Sequence, residues 1–192
     1  YMATVSATGG EVLIKNVIPK HLECITAKLE EMGVEIEDRD DAVLVRSNGK
    51  LTRTNVKTLP YPGFPTDMQP QIAADLCLAQ GTSVLTEGVW DNRYRYVDEF
   101  RRMGAQIQVD GKVAVIEGVE HLTGAKLRAC DLRAGAAMVI AALAAHGTSE
   151  ISNIHHIERG YEDIVRKLSN IGADIRVVVT PDEDQQTEAN AG

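Results

Sequence analysis

The sequence predicts an α/β fold in which three copies of one unit surround a set of buried helices. Three segments follow the same order: an apolar helix, a glycine, a strand, an amphipathic helix, a second glycine and a strand. The copies span about residues 1–57, 58–120 and 121–179. Because each copy needs the others to cover its apolar helix, we expect one domain over residues 1–179 rather than three.

The first helix of each copy is predicted to lie inside the domain. In the third copy the stretch "AGAAMVIAALAA" is apolar on every side, so this helix should be buried all round. The second helices instead carry a single apolar face. The residues of that face are Val97, Phe100 and Met103 in the second copy and Ile164, Leu168 and Ile171 in the third. We therefore expect the second helices and the sheets to lie outside the buried helices.

Glycines mark the predicted helix ends. Gly10, Gly81 and Gly147 follow the first helices, and Gly33, Gly104 and Gly172 follow the second helices. A helix commonly ends in a left-handed residue, and glycine adopts that conformation without a steric penalty. The stretch "AQIQVDGKVAVIEG" has two alternating runs on either side of Asp-Gly, which is typical of a β-hairpin. Each copy is predicted to place a strand after its second glycine.

The composition argues against several classes of function. A net charge of −8 does not provide the basic surface that sequence-independent nucleic-acid binding needs. The three cysteines lie far apart without a C-x-x-C pair, and the five histidines show no H-E-x-x-H spacing. We therefore expect a reduced, cytoplasmic protein without a disulfide framework or a metal site. The longest apolar run, residues 134–145, is too short and too rich in alanine to span a bilayer.

The two ends of the chain differ from its repeats. The chain opens on "YMATVSATGG", with no initiator methionine and an apolar segment already under way, which indicates a piece of a longer protein. Residues 180–192 are polar and acidic and are predicted to form a disordered tail.

Charged residues interrupt the pattern at matching places in the second and third copies. Asp67 and Asp131 stand at the starts of the buried helices, and Arg133 follows Asp131 by two positions. Arg93 and Arg159 each lie twelve residues after a glycine that follows a first helix. Helix N-termini and guanidinium groups both favour anions. These residues therefore predict an anion site at the end of the domain where the helices begin.

Ordinary structural roles are also open to the same residues. An aspartate at the start of a helix is most often only a cap. Arg133 could pair with Asp131, and Arg93 could pair with Asp91, as neighbouring charges commonly do. Spacing alone therefore does not decide between an anion site and a set of local caps and ion pairs.

Four long motifs carry a resemblance to a known family. They are "FPTDMQPQ", "EGVWDNRYRYVDEFRRMGAQI", "LRACDLRAGAAMVIAALAAHGTSEI" and "HHIERGYEDIVRKLSNIGADI". These motifs resemble the UDP-N-acetylglucosamine 1-carboxyvinyltransferases, enolpyruvyl transferases that begin the committed path to bacterial peptidoglycan. The resemblance covers the chain from Tyr1 to about Val179. It implies an inside-out α/β barrel domain of the enolpyruvyl transferase type, one of two such domains in the family.

The resemblance also implies a reaction and its partners. The family transfers the enolpyruvyl group of phosphoenolpyruvate to the 3-hydroxyl of UDP-N-acetylglucosamine and releases phosphate. The reaction is an addition followed by an elimination, without a metal or organic cofactor. The partners implied are these two substrates and a second domain that closes on them, with neither nucleic acid nor membrane. For the cell, the resemblance implies roles in wall synthesis, shape and division.

Six residues receive roles from this resemblance. Asp67 matches the carboxylate that contacts the sugar hydroxyl and is proposed as its general base, and Asp131 matches an aspartate near the reacting carbons. Arg133 and Arg159 match arginines that neutralise phosphoenolpyruvate. The two further substrate-binding positions are Val89, whose backbone would hold the UDP-sugar, and Arg93, a cleft arginine.

Part of the family's catalytic machinery has no match in this chain. The family's general acid sits on a flexible loop, which with a lysine and a further arginine belongs to the other domain. We therefore expect this chain alone to be inactive. Two other interpretations stay open: a lobe of the transferase that acts on shikimate 3-phosphate, and a non-catalytic binding or assembly domain of the same fold.

Overall fold

A computed structural model describes residues 1–179 of the chain. Its backbone divides into two compact units, residues 1–162 and a second unit that begins at Asp163 and is described as far as residue 179. The helices of the first unit are α1 (Met2–Thr8), α2 (Glu23–Glu31), α3 (Gln69–Leu78), α4 (Val97–Arg102), α5 (Leu132–Ala144) and α6 (His155–Glu158). Short 3₁₀ turns at Pro19–Leu22 and Thr66–Met68 precede α2 and α3. The second unit contains α7 (Ile164–Asn170).

Eleven strands are found in the described residues, all in the first unit. They are β1 (Gly10–Lys15), β2 (Glu35–Asp38), β3 (Ala42–Ser47), β4 (Leu51–Thr52), β5 (Val56–Lys57), β6 (Ala79–Gln80), β7 (Thr82–Thr86), β8 (Gln106–Asp110), β9 (Val113–Glu117), β10 (Lys126–Arg128) and β11 (Glu150–Ser152). The two larger sheets have the orders β1-β3-β2 and β5-β7-β9-β8. Two small parallel pairs, β4 with β6 and β10 with β11, complete the set.

The two larger sheets share one topology, which reflects the repeat. In the first sheet β1 pairs antiparallel with β3, which also pairs with β2, and in the second sheet β7 pairs in the same way with β9, which also pairs with β8. The hairpin predicted from Asp-Gly is present, with Asp110 opposite Val113 and Gly111 at φ 57° in the turn. The first two copies therefore form the same helix–strand–helix–hairpin unit in three dimensions.

Three helices, α1, α3 and α5, pack on one another in the centre. Their side chains are mostly small, and the burial predicted for residues 134–145 is correct for residues 134–141, whereas residues 142–145 are half-buried. The apolar face predicted for α4 is also confirmed, since Val97, Phe100 and Met103 are at most 3% exposed. Small side chains let helix backbones approach closely, and dispersion contacts then accumulate over the length of the interface.

In each copy an asparagine in the left-handed conformation follows the strand β1, β7 or β11, which comes after the buried helix. Asn16, Asn92 and Asn153 all have φ 59°. Asn16 and Asn153 come directly after β1 and β11, whereas residues 87–91 separate Asn92 from the end of β7. The second copy therefore contains an insertion of five residues between its strand and its asparagine turn.

The glycine prediction is correct for the second helices and wrong in detail for the first. Gly33, Gly104 and Gly172 have φ between 94° and 104°, and each N–H bonds to a carbonyl three residues earlier. Gly9, not Gly10, caps α1. Gly81 does not end α3 directly, because the two residues of β6 lie between the helix and this glycine and pair with β4.

The second unit departs from the expected pattern. No strand follows Gly172 among residues 173–179, although the sequence predicts one. In the first two copies this strand pairs with the next strand along the chain, and the described residues offer no such next strand here. Within α7 and its end, Leu168 is buried but Ile171 is 50% exposed, so the predicted apolar face is only partly correct.

The predicted tail, residues 180–192, lies outside the described residues. The assignment of residues 1–179 to one domain stays a prediction. Within residues 1–179 the longest helix is α5, and none of the helices has the length and apolar character needed to cross a bilayer.

Gly135 provides a test of how tightly α5 packs. A Cβ at this position would lie 2.5 Å from Cγ1 of Ile157, so we expect Gly135→Ala to overpack the interface between α5 and α6. The expected cost is about 1–3 kcal/mol, although the same change in an open helix would stabilise by up to about 1 kcal/mol. Thermal denaturation of the variant checks the sign. In an Ile157→Ala background the cost should largely disappear, and a raised Tm for Gly135→Ala alone would contradict the packing described.

Candidate functional site

A cleft of about 450 Å³ opens where two loops meet the starts of α3 and α5. Four of the six residues singled out from the sequence line it: Asp67, Val89, Arg93 and Arg133. Asp131 and Arg159 do not line it. One wall is apolar and exposed and consists of Leu59, Pro60, Tyr61 and Trp90.

The carboxylate of Asp67 meets the guanidinium of Arg133 across the cleft. Arg133 Nε donates to Asp67 Oδ1 at 2.5 Å, and the side chains are 34% and 60% exposed for Arg133 and Asp67. Asp67 lies in the 3₁₀ turn Thr66–Met68 and makes no capping hydrogen bond to α3. The cap role expected for Asp67 is therefore wrong, as is local pairing of Arg133 with Asp131.

Asp131 is the residue that caps a helix here. Its Oδ1 accepts hydrogen bonds from the backbone N–H groups of Arg133 and Ala134, both at 2.9 Å. Two of the free N–H groups at the start of α5 are therefore already used. An anion at this helix start would consequently meet the Arg133 side chain rather than these amides. Asp131 also fixes the backbone from which Arg133 extends.

Arg93 faces the cleft without an acidic partner in the part of the chain that the structure describes. Asp91, the partner considered from the sequence, pairs instead with Lys112 at 3.0 Å. The Arg93 guanidinium carbon lies 6.0 Å from the centroid of the Trp90 ring, at the outer limit of a cation–π contact. Arg93 Nε is buried and, within residues 1–179, has no hydrogen-bond partner. This arrangement leaves the charge of Arg93 available to a ligand.

Arg159 is exposed at the end of α6, close to the first turn of α5. The next residue, Gly160, packs so tightly on α5 that a Cβ there would lie 2.7 Å from Cδ1 of Leu132. The residue after Arg159 therefore contacts Leu132, the first residue of α5 and the chain neighbour of Arg133. Counted from the left-handed asparagines, however, Arg93 follows Asn92 by one residue and Arg159 follows Asn153 by six. The correspondence drawn between these two arginines from glycine spacing is therefore wrong.

Val89 and Trp90 extend from the five-residue insertion into the cleft, and Glu87 lies beneath them. The N–H of Val89 donates to Glu87 Oε1 at 2.9 Å. The carbonyl of Val89 is therefore the backbone group that remains for a ligand, since no described residue donates to it. Glu87 is only 1% exposed. Sequence reasoning missed Glu87, although the spacing between Gly81 and Asn92, five residues longer than in the other copies, marks this segment.

The ionisation of the cleft follows from these contacts. The hydrogen bond from Arg133 lowers the pKa of Asp67 from its ordinary value, against a smaller opposing effect of burial, and the charge of Arg93 adds to the lowering. The same hydrogen bond raises the pKa of Arg133. Asp67 is therefore a carboxylate at neutral pH. Burial raises the pKa of the thiols of Cys77 and Cys130, which makes both poor nucleophiles.

Within the described residues, no group of three or more His, Cys, Asp or Glu side chains could hold a metal ion. The charged side chains that line the cleft are those of Asp67, Arg93 and Arg133.

Comparison with known proteins gives a consistent result. A family model described as EPSP synthase (3-phosphoshikimate 1-carboxyvinyltransferase) matches residues 1–168. A protein named UDP-N-acetylglucosamine 1-carboxyvinyltransferase 3, from Caldanaerobacter subterraneus subsp. tengcongensis, is 57% identical over 91% of this chain and 42% of its own length. A protein named UDP-N-acetylglucosamine 1-carboxyvinyltransferase, from Desulfofundulus thermocisternus, is 51% identical over 91% of this chain and 72% of its own length.

The solved structures agree with the predicted fold class. The enolpyruvyl transferase NikO from Streptomyces tendae superposes with a TM-score of 0.83 at 30% identity, over 94% of this chain and 43% of that one. EPSP synthase from Acinetobacter baumannii, at 19% identity and a TM-score of 0.64, shares the fold. The inside-out α/β fold of the enolpyruvyl transferase type is therefore confirmed. The chain spans about two fifths of the length of the first of these relatives.

The contact between Asp67 and Arg133 predicts a specific titration. We expect Arg133→Met to return the pKa of Asp67 towards its ordinary value, measured by ¹³C NMR of the side-chain carboxyl. Because the folded pKa is depressed, the pair stabilises the fold above the ordinary pKa of aspartate and loses that effect as pH falls through the folded value. For so exposed a pair the contribution is about 0.2–1 kcal/mol.

Arg93→Met is the matched control, since the charge of Arg93 acts on Asp67 without a hydrogen bond. It should shift the Asp67 titration less than Arg133→Met does. An unchanged Asp67 titration in Arg133→Met would show that the two side chains do not meet in solution.

Proposed function

The chain belongs to the EPSP synthase family of carboxyvinyltransferases, and from this membership we propose that it forms one lobe of a UDP-N-acetylglucosamine 1-carboxyvinyltransferase. The reaction proposed is transfer of the enolpyruvyl group of phosphoenolpyruvate to the 3-hydroxyl of UDP-N-acetylglucosamine, with release of phosphate. The observation that carries the proposal is the meeting of Asp67 with Arg133 in a cleft that Arg93 also lines. In a bacterial cytoplasm this reaction would begin peptidoglycan synthesis.

Asp67 is proposed as the general base. A sugar hydroxyl is a weak nucleophile, so a carboxylate within hydrogen-bond reach must take its proton as the new C–O bond forms at the central carbon of phosphoenolpyruvate. Asp67 is ionised and exposed in the cleft, which fits that role. While Arg133 donates to Asp67, the lowered pKa makes this carboxylate a weak base. We expect substrate binding and desolvation to raise the pKa of Asp67.

Arg133 and Arg159 are proposed to hold phosphoenolpyruvate. This substrate carries about three negative charges near neutral pH, from its phosphate and its carboxylate. In the free chain Arg133 is neutralised by Asp67, so binding would exchange one carboxylate partner for a more highly charged anion. That exchange would free Asp67 to meet the sugar hydroxyl. Asp131, which positions the backbone of Arg133, would lie near the reacting carbons.

Val89 and Arg93 are proposed to bind the UDP-sugar. Val89 lines the cleft with its N–H already bonded to Glu87, which leaves its carbonyl for a ligand, and Arg93 Nε has no hydrogen-bond partner within residues 1–179. An amide N–H of the substrate could donate to this carbonyl, and the diphosphate or a sugar hydroxyl could accept from Arg93. Val89 belongs to the inserted loop, and Arg93 directly follows the left-handed Asn92 at the end of that loop.

A second lobe is proposed to complete the site. The relatives at 57% identity are more than twice as long as the matched region, and the addition step needs a general acid that delivers a proton to the methylene carbon. Phosphate then leaves as that carbon loses a proton and the double bond re-forms. We expect the 192-residue chain alone to release phosphate only at the background rate, and restored release on adding the other lobe would confirm the division.

Shikimate 3-phosphate is the alternative acceptor, favoured by the description of the matching family model. The identities favour the UDP-sugar, since relatives of that name reach 57% and the EPSP synthase of known structure reaches 19%. A phosphate-release assay of the full-length protein with each acceptor separates the two. Release with shikimate 3-phosphate alone would reverse the assignment, and release with neither would favour a non-catalytic domain.

Replacement of the proposed base provides the sharpest test of the site. We expect Asp67→Asn in the full-length protein to lower kcat by about 10²–10⁴-fold, because the amide cannot take the sugar proton. Asp91→Asn is the matched control, since Asp91 is a neighbouring exposed aspartate that pairs with Lys112 outside the cleft. Equal turnover of Asp67→Asn and the wild type would remove Asp67 from the mechanism.

A further inference from the structure

The buried carboxylate of Glu87 joins the two loops that form the cleft. Its Oε1 accepts from the hydroxyl of Thr58 at 2.7 Å and from the N–H groups of Val89 and Trp90 at 2.9 and 3.1 Å. Its Oε2 accepts from the hydroxyl of Thr66 at 3.1 Å. Three of these four donors converge on Oε1, and the fourth binds Oε2, so both carboxylate oxygens are held.

The donors come from both sides of the cleft. Val89 and Trp90 belong to the inserted loop, whereas Thr66 immediately precedes Asp67 in the 3₁₀ turn before α3. The two sides also touch through Gly88, whose N–H donates to Thr58 Oγ1 at 2.8 Å. A Cβ on Gly88 would lie 2.2 Å from the Thr58 carbonyl oxygen, so only glycine fits there. Backbone packing and the buried carboxylate therefore hold the same two segments together.

We propose that Glu87 is a positioning residue of the transferase, setting the Val89 backbone against the Asp67 carboxylate. This inference rests on the proposed function, in which Val89 binds the UDP-sugar and Asp67 takes its proton. Hydrogen bonds to a carboxylate are stronger than those between neutral groups, so a buried glutamate restrains loop amides better than a neutral side chain would. A shift of about 1 Å between reacting groups can cost roughly 10²-fold in rate, which makes this restraint functional.

The role predicts a selective kinetic defect. In the full-length protein, Glu87→Ala should raise KM for UDP-N-acetylglucosamine about 10-fold and lower kcat about 10–100-fold. KM for phosphoenolpyruvate should change by less than about 2-fold, because neither Arg133 nor Arg159 donates a hydrogen bond to Glu87. Glu87→Gln keeps one acceptor oxygen, which can still bind the N–H groups of Val89 and Trp90. It should bring KM for UDP-N-acetylglucosamine back to within about 3-fold of the wild-type value.

Thr66→Val separates the two halves of the bridge. It removes only the bond between Glu87 and the turn that carries Asp67, with little change in shape. We expect kcat to fall while KM for the UDP-sugar stays near the wild-type value. Because Thr66 is only half-buried, this variant should fold even if Glu87→Ala does not, so the proposal stays open to test.

Glu31→Ala is the control for loss of a glutamate–threonine hydrogen bond outside the cleft. Glu31 accepts from the buried Thr54 hydroxyl, as Glu87 does from Thr58, but neither Glu31 nor Thr54 lines the cleft. Glu31→Ala should lower Tm and leave both KM values unchanged. Trp90, the single tryptophan of the 192-residue chain, gives a readout without turnover. Its fluorescence anisotropy in this chain should fall in Glu87→Ala and not in Glu31→Ala.

The outcomes separate the two proposals. If the wild-type protein releases no phosphate with UDP-N-acetylglucosamine, the proposed function fails and this role falls with it. If the wild type is active and Glu87→Ala keeps its KM values, or raises both KM values equally, only the role of Glu87 is overturned. An equal effect of Glu31→Ala would assign the defect to lost stability.

Discussion

The close packing of α1, α3 and α5 is the constraint on which the rest of the structure depends. These helices are covered by one another and by the sheets, and their small side chains let them approach closely. Packing of α3 on α5 brings the turn before α3 next to the first turn of α5. Asp67 and Arg133 are 66 positions apart in the chain, and they meet because these two helix starts are neighbours.

A protein with an acidic surface overall can still present a cationic cleft when its arginines are placed in this way. Of the net charge of −8, four negative charges belong to residues 180–192, whereas Arg93 and Arg133 both reach the same cavity. In the free state Asp67 satisfies Arg133, so the cleft holds one internal carboxylate in the place of an anionic ligand. The cost of separating Arg133 from Asp67 is modest because the pair is exposed to water.

The features that the sequence predicted are those decided by local or repeated patterns. The Asp-Gly hairpin follows from turn chemistry, and the burial of α5 follows from an apolar stretch with no polar face. The partner of Arg133 was not predictable in this way, because Asp131 stands only two residues away but acts as the local cap of α5, whereas Asp67 reaches Arg133 only through the tertiary packing of α3 on α5. Glu87 was missed for a related reason: a glutamate at the end of a strand is ordinarily exposed, and its burial depends on Thr58 and Thr66 from another segment.

The extra residues 87–91 have a consequence for how such a domain can change. The strand before them and the left-handed asparagine after them keep the geometry seen in the other two copies. A duplicated scaffold thus accepted additional length at a single connection without loss of its architecture. A change in the length or sequence of this one connection would alter the wall of the cleft and leave the packing of the helices beneath it intact.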